Sequence, residues 1–474
     1  MTGACLFEKI WSSHAVVGFE GDRAALIIDR MSLHELSGGY ALRDMKMFGE
    51  RPGVRPDQVF AVADHAISTA PDRGVHDSLS KAGSAMIASL EDACETFGYR
   101  YARPNEDAHG IVHVAAPEQG FILPGTTLVC GDSHTCTVGA FGALAFAVGA
   151  SEVTTVLRRS ALIVRRPKTL RISLTGQLDC QVFSKDVALR ILAACGIKFA
   201  IGHAIEFAGS LVEAMSMEAR MTLCNMAAEM GTRYALIAPD ETTFTYLRER
   251  SAIPPAVLES AVSSWRTLTS DSDAPFDREM EFNLNGLEPQ VTWGTTPMQT
   301  IGIGGIVPDP ACMSDPSARA GAERALKYMQ LEVGRPIAST PIDAAFIGSC
   351  TNARLTDLRA AAEILRGRQV APGVRAMCTP GSMEVRAQAE REGLDRVFKE
   401  AGFEWRKSGC SNCAGREGPI WANMRVISST NRNFENRQGP QTRTHLASPA
   451  TVAASAIAGR IADPRKFARQ SMHA

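Results

Sequence analysis

The sequence carries almost no excess charge. Fifty lysines and arginines face 51 aspartates and glutamates, a net −1. No global basic surface is therefore available to hold a nucleic-acid backbone or an anionic membrane. Long apolar runs are also missing. The most apolar stretch, Gly139–Ala150 (GAFGALAFAVGA), is short of the ~20 residues a membrane span requires, and small residues dominate it. The N-terminal MTGACLFEKIWSSH lacks the basic-then-apolar layout of a signal peptide. No repeat period and no low-complexity tract occurs. These absences leave a soluble, cytoplasmic protein, with no membrane and no nucleic acid as partners. Its 474 residues suffice for several domains.

Cysteine is present but dilute. Twelve residues without an export signal do not read as a disulfide framework. Cys94, Cys195 and Cys224 sit in apolar, helix-like stretches and read as inert core thiols. The cysteines to examine are those in loops with metal-ligand spacing.

Strand-like and helix-like runs alternate along the chain. Leu170–Leu174 (LRISL) alternates apolar and polar with period two. A helical pattern starts at Ser184, with Val187, Ile191 and Leu192 on one face and Gly196 as its stop. Asp343–Ile347 (DAAFI) reads as a short buried strand running into the loop Gly348–Asn352 (GSCTN). Thr356 is placed to cap a helix whose Leu358, Ala362 and Leu365 share a face, ending at Gly367. Val374–Cys378 is a further strand, followed by helical Met383–Glu392. The alternation predicts an α/β fold with largely parallel sheets. The polar Thr269–Phe276 and a softer break near Arg165–Pro167 divide the chain into 1–165, 166–276 and 277–474.

The chemistry gathers at Cys350, in GSCTN, and at the C-x-x-C pair Cys410 and Cys413. The pair puts two thiolates on one tight loop, and Cys350 follows a strand, where open α/β sheets form their ligand crevice. Three soft thiolates suit zinc or an iron–sulfur cluster. The same spacing also suits a redox pair or a zinc knuckle beside an unrelated cysteine. Gly302–Gly305 is glycine-rich but lacks the G-x-G-x-x-G order, so it does not read as nucleotide-binding. Asp132–His134 is no hydrolase triad, because a triad is a spatial arrangement and no G-x-S-x-G elbow occurs.

The flanks of these cysteines carry more. GSCTN, Gly409–Cys413 (GCSNC) and Ser429–Arg437 (STNRNFENR) together resemble the aconitase superfamily. Met31–Glu35 (MSLHE), Ala63–His65 (ADH), Gly110–His113 (GIVH), Cys130–Thr135 (CGDSHT), Ser216–Met226 and Ala238–Thr242 (APDET) narrow the resemblance to its isopropylmalate dehydratase large subunits. It runs from Phe7 to about Asp463.

This resemblance implies three α/β domains in an α/β/α architecture around a [4Fe–4S] cluster, one per chain, with one iron free of protein thiolate. It implies Cys350, Cys410 and Cys413 as cluster ligands. Asp64, His65, His113, Asp132 and His134 would be catalytic acids and bases, and Glu206, in Gly202–Phe207 (GHAIEF), would stand beside the open iron. Ser133, Arg432 and Arg437 would bind substrate, the arginines taking its carboxylates. The implied reaction interconverts 2-isopropylmalate and 3-isopropylmalate by dehydration and rehydration, in leucine biosynthesis. The swivelling domain of single-chain aconitases is not found, so a separate small subunit is expected to carry it. Bottom-up chemistry agrees: a dicarboxylate calls for planar bidentate donors, and a poor leaving hydroxyl calls for an acid.

Three segments depart from the pattern: Leu36–Tyr40 where Thr-Ser-Pro-Gln is usual, Gly196–Gly202 where glycines are usual, and Ala414–Glu417 where Leu-Ala-Met-Asn is usual. A paralogue acting on another 2-substituted malate or a homoaconitate-type substrate is therefore an alternative. An iron-responsive RNA-binding regulator and a zinc-binding structural protein are alternatives of other classes.

Overall fold

The computed structural model describes residues 3–250, 253–415, 417–418 and 420–468; Arg416, in the third departing segment, lies outside them. The chain forms two compact units. The first comprises the chain up to Ile67, Gly74–Gly176 and Lys198–Leu284; the second comprises Ser68–Arg73, Gln177–Ile197 and the chain from Asn285 on.

The first unit is built on two parallel sheets. One contains β1 (Arg30–His34), β2 (Val59–Val62), β3 (Arg100–Ala102), β4 (Thr127–Cys130) and β5 (Leu144–Ala147), in the order β3-β2-β1-β4-β5. The other contains β6 (Lys168–Thr175), β7 (His203–Ala208), β8 (Tyr234–Leu236) and β9 (Arg278–Asn283), in the order β8-β7-β6-β9. The LRISL alternation lies inside β6, whose burial alternates with it from Leu170 on. A small antiparallel sheet of Ala15–Phe19, Arg23–Ile27 and Ala161–Arg165 completes this unit. The helix Leu6–His14 buries Leu6, Phe7, Ile10 and Trp11, a spacing that puts them on one face; Phe7 meets Tyr234 edge-on. Thr269–Phe276 lies within this unit, tied to that helix: Ser270 Oγ accepts the Leu6 amide at 2.8 Å and Asp271 pairs with Lys9 at 2.6 Å.

The second unit holds one parallel sheet of β10 (Ala344–Ile347), β11 (Arg375–Cys378), β12 (Phe403–Trp405), β13 (Arg425–Ser428) and β14 (Arg443–Leu446), ordered β12-β11-β10-β13-β14. All four residues of β10 are buried, which explains its unbroken apolar run. The helix Ser184–Cys195 ends at Gly196 (φ 85°) as its sequence predicts. The helix expected after GSCTN runs Leu355–Leu365, but Thr356 does not cap it. Arg354 is the N-cap, and the Asp357 carboxylate reaches back to its amide at 3.0 Å. No helix among the described residues is long and apolar enough to cross a membrane.

The five-stranded sheets share one topology. Each reverses direction beside its first strand, at β1/β4 and at β10/β13. Loops at the carboxyl ends of strands flanking such a reversal splay apart and leave a ligand crevice. The sequence puts its chemistry on those loops: Glu35, Asp132 and His134 after β1 and β4, Cys350 and Asn431 after β10 and β13.

Candidate active site

In the first unit the candidate acids and bases converge on Asp132. Its Oδ1 accepts His113 Nε2 at 2.9 Å and the His134 amide at 2.7 Å; its Oδ2 is 3.2 Å from His65 Nε2. The other nitrogen of His65, Nδ1, lies 2.6 Å from Asp64 Oδ1. Two ring nitrogens facing two carboxylates are both satisfied as donors only in the imidazolium. The remaining Asp64 oxygen accepts the Val112 amide at 2.9 Å, at the start of the helix Val112–Glu118 that presents His113. Burial alone would push the Asp64 carboxyl up. The His65 charge and hydrogen bond more than offset this and hold it at about 2. Burial likewise opposes ionisation of Asp132, yet hydrogen bonds from His113, His134 and His65 hold it well below the usual carboxylate range.

Ser133 is exposed beside this hub, with its hydroxyl 3.2 Å from His134 Nδ1. Glu206 is placed elsewhere. It is buried on β7, where both oxygens lie 2.7–2.8 Å from the Ser270 hydroxyl, and burial raises its carboxyl above the ordinary value. Its side-chain partner is Ser270 rather than one of the histidines. The carboxylate that does join them is Glu229, 3.0 Å from His134 Nε2.

Three side chains of this group were not singled out in the sequence. Glu35 is fully buried and spends both oxygens on the Asp64, His65 and Ala66 amides, which fixes the loop after β2. His34 packs against His65 with tilted rings whose centroids are 4.6 Å apart, and burial followed by the His65 charge lowers its pKa. For Glu229 a signal exists: it is the sole charge in Thr222–Gly231 (TLCNMAAEMG), an acid in an otherwise apolar run.

In the second unit Cys350, Cys410 and Cys413 are 8%, 8% and 6% exposed; Cys350 lies in a loop, and Cys410 caps the 3-10 turn Ser411–Ala414 that carries Cys413. By contrast Cys94 and Cys224 are core thiols, with burial pushing Cys94 up to about 12; Cys195 is half-buried. Cys350 and Cys413 share neighbours. Asn431 Nδ2 lies 3.6 Å from the Cys350 sulfur and its Oδ1 lies 3.8 Å from that of Cys413; Ser349 Oγ is 3.9 and 3.4 Å from the same two sulfurs. Both loops are backbone-strained, with Ser349 at φ 90° and Ser411 at φ 50°. Gly348 is required by a close approach, since a Cβ there would fall 2.3 Å from the Phe346 ring. The GSCTN loop therefore has room for no larger residue at its entry.

Arg437 turns Nη2 toward the Cys413 sulfur at 3.9 Å, while its buried Nε has no hydrogen-bond partner among the described residues. Arg432 lies on the same segment and is half-buried. Asn412, inside the C-x-x-C, is fully buried, and neither side-chain atom is hydrogen-bonded among the described residues. A buried unsatisfied amide costs about 1–3 kcal/mol, so a further group with polar atoms is expected there. Three cysteines, two of which share polar neighbours, beside an unsatisfied buried amide fit a thiolate-held cluster.

The depressed acids set a pH response. Their folded-state pKa values lie below the unfolded ones, so their contribution to stability is complete above about pH 4 and falls away toward pH 2. Asp64→Asn should lower the melting temperature at pH 7 and flatten its decline between pH 4 and pH 2, as followed by circular dichroism. A native-like pH slope in the variant would contradict the coupling.

A family model for the aconitase family (aconitate hydratase) matches residues 8–459 of the chain. The chain is also 48% identical, over 469 residues covering 98% of each sequence, to 3-isopropylmalate dehydratase large subunit 1 of Bradyrhizobium diazoefficiens.

Proposed function

The chain belongs to the aconitase family, and we propose from that premise that it is the large subunit of a 3-isopropylmalate dehydratase, a hydro-lyase of leucine biosynthesis that interconverts 2-isopropylmalate and 3-isopropylmalate. An enzyme of this kind works in the cytoplasm. The observation that carries the reading is the guanidinium of Arg437, with an unpaired buried nitrogen, held 3.9 Å from the sulfur of Cys413. A carboxylate-binding cation directly beside a thiolate cluster is what a hydroxy-dicarboxylic acid needs.

Cys350, Cys410 and Cys413 hold a [4Fe–4S] cluster in this reading, one per chain. When bound, such a cluster supplies a Lewis-acidic iron, free of protein thiolate, for the hydroxyl and its neighbouring carboxylate. His65, held as an imidazolium by Asp64 and Asp132, is the proton source for the departing hydroxyl. His113 and His134 are fixed by Asp132, and His134 also by Glu229. Ser133, Arg432 and Arg437 bind the substrate, and Glu206 is left to a role at its own place on β7. Three parallel sheets support a division into three α/β domains, with the second boundary beyond β9 rather than at residue 276. A small subunit completes the enzyme.

One observation favours a second reading, a different side group on the malate. Gly39 and Tyr40, in the departing segment after Glu35, line a cavity of about 210 Å³ with Glu35 and Arg43 on one side and residues 82–89 on the other. Product analysis of the two-subunit complex with a panel of 2-substituted malates decides between them. Release of isopropylmalate isomers supports the first; turnover confined to another malate supports the second. Anaerobically reconstituted protein should carry about four irons and four sulfides per chain. Stoichiometric zinc without sulfide would overturn the cluster.

Arg437 gives a sharper test. Losing a charge-assisted bidentate contact is worth roughly ten- to a hundredfold in kcat/KM. Arg437→Lys should be nearly as harmful as Arg437→Ala, because an ammonium cannot reproduce the planar fork. A fully active lysine variant would show that Arg437 is not a bidentate clamp.

A further inference from the structure

Glu417 stands in the segment that departs from Leu-Ala-Met-Asn, and the proposed chemistry leaves it unused. It is 7% exposed, four residues beyond Cys413, and its oxygens divide between two loops. Oε1 accepts the Thr69 amide at 3.0 Å and the Thr69 hydroxyl at 2.6 Å; Oε2 accepts Arg406 Nη2 at 2.7 Å. Arg406, itself buried, sends Nε to the Thr69 hydroxyl oxygen at 2.9 Å. That oxygen lies 3.0 Å from Ser411 Oγ, inside the C-x-x-C. Two more contacts brace the same stretch: Lys407 donates its amide to the Thr69 carbonyl at 2.9 Å, and Arg73 reaches the Ser408 carbonyl at 2.6 Å.

We propose that Glu417 is a positioning residue that, through Thr69 and Arg406, locks Ser411 and with it the spacing of Cys410 and Cys413. The need is visible at Ser411, whose φ of 50° is held only by its surroundings. The choice of acid follows from the donor count. One amide, one hydroxyl and one guanidinium nitrogen all point at the group, and a carboxylate accepts all three. An asparagine or glutamine there presents an NH2 to a donor.

The inference deepens the cluster assignment and rests on it for its purpose, so its test begins without metal. In iron-free, reduced protein, alkylation of each cysteine by iodoacetamide is followed by mass spectrometry in wild type, Glu417→Gln and Thr69→Val. Both variants should speed modification of Cys410 and Cys413 by roughly tenfold, the scale of one lost charge-assisted hydrogen bond in a locally opening loop, while Cys350 stays near the wild-type rate. In reconstituted protein reduced by dithionite the same variants should broaden the electron paramagnetic resonance signal, and without reductant they should lose iron faster in air. Thr69→Val keeps the Glu417–Arg406 pair and carries the test if Glu417→Gln does not fold. Folded variants with unchanged thiol rates would overturn the lock, even with a normal cluster. A protein that takes up no iron and sulfide would overturn the cluster assignment, while the thiol rates still report on the lock.

Discussion

Titrating a cognate small subunit into the iron-loaded chain should raise isomerase turnover from background to a plateau, and the chain alone should form no product. The reaction removes a carbon-bound proton, which needs a base strong enough at neutral pH. The two carboxylates that face the histidine His65 cannot serve. Asp64 is held at about 2 and Asp132 well below the usual range, and each already accepts hydrogen bonds from histidines. His65 is fully engaged as a donor, and His134 lies against Glu229. Groups so arranged give up protons or hold a hydroxyl; none is a free base. A positioned base contributes about 10²–10⁴-fold, so its absence puts turnover below ordinary detection. The relative's name, a large subunit, implies a separate small subunit. The partner would also exclude water and touch the apolar side group. Selectivity there is worth about 1–3 kcal/mol per methylene, so the departing segments can shift substrate choice without changing the reaction. Full turnover by the pure chain would refute the two-subunit reading.

The sequence was most legible where a local pattern decides structure. The period-two run at Leu170–Leu174, the unbroken apolar β10 and the glycine stop at Gly196 each depend on neighbours in sequence, and each was found where expected. The helix after GSCTN was legible, but its cap was not. Asp357 reaching back from the first turn competes with a threonine at the start, and only the backbone decides which wins. Thr269–Phe276 looked like a linker by its polarity. Its polar groups instead serve the N-terminal helix from more than 260 residues away, a pairing no local pattern reveals. The site divides the same way. Asp132 could be named from its motif, but its role as acceptor for three histidines arises from loops on different strands. Glu229 was marked by its lone charge in an apolar run, yet its partner His134 lies far away in sequence. Glu206 carried the same mark and faces Ser270. A buried acid signals that something satisfies it, not which residue does.

Asp132→Asn should cut kcat by about 10²–10⁴-fold with little change in KM, the range expected when proton transfer is lost but binding is kept. The substitution is isosteric, so Oδ1 can still accept His113 Nε2 and the His134 amide. What changes is the face toward His65, now 3.2 Å from a carboxylate oxygen. In the variant that position holds either a donor, which opposes the His65 N–H, or a neutral acceptor without charge. His65 then keeps only Asp64 as an anionic partner, and its imidazolium is stabilised less. The sign follows: the acid form survives to a lower pH, so the alkaline limb of the kcat–pH profile should move down. A catalytically wrong imidazole, rather than an unfolded loop, is then the cause, because Glu35 continues to hold the loop after β2 through three backbone amides. The pH limb separates the two, since an unfolded loop would lower kcat without moving it, whereas the melting temperature at pH 7 falls in either case because Asp132 is itself a depressed acid. Asp132→Ala should be worse, as it also releases His113. A native pH profile in Asp132→Asn would remove Asp132 from the proton pathway and leave it as a support for the β4 loop.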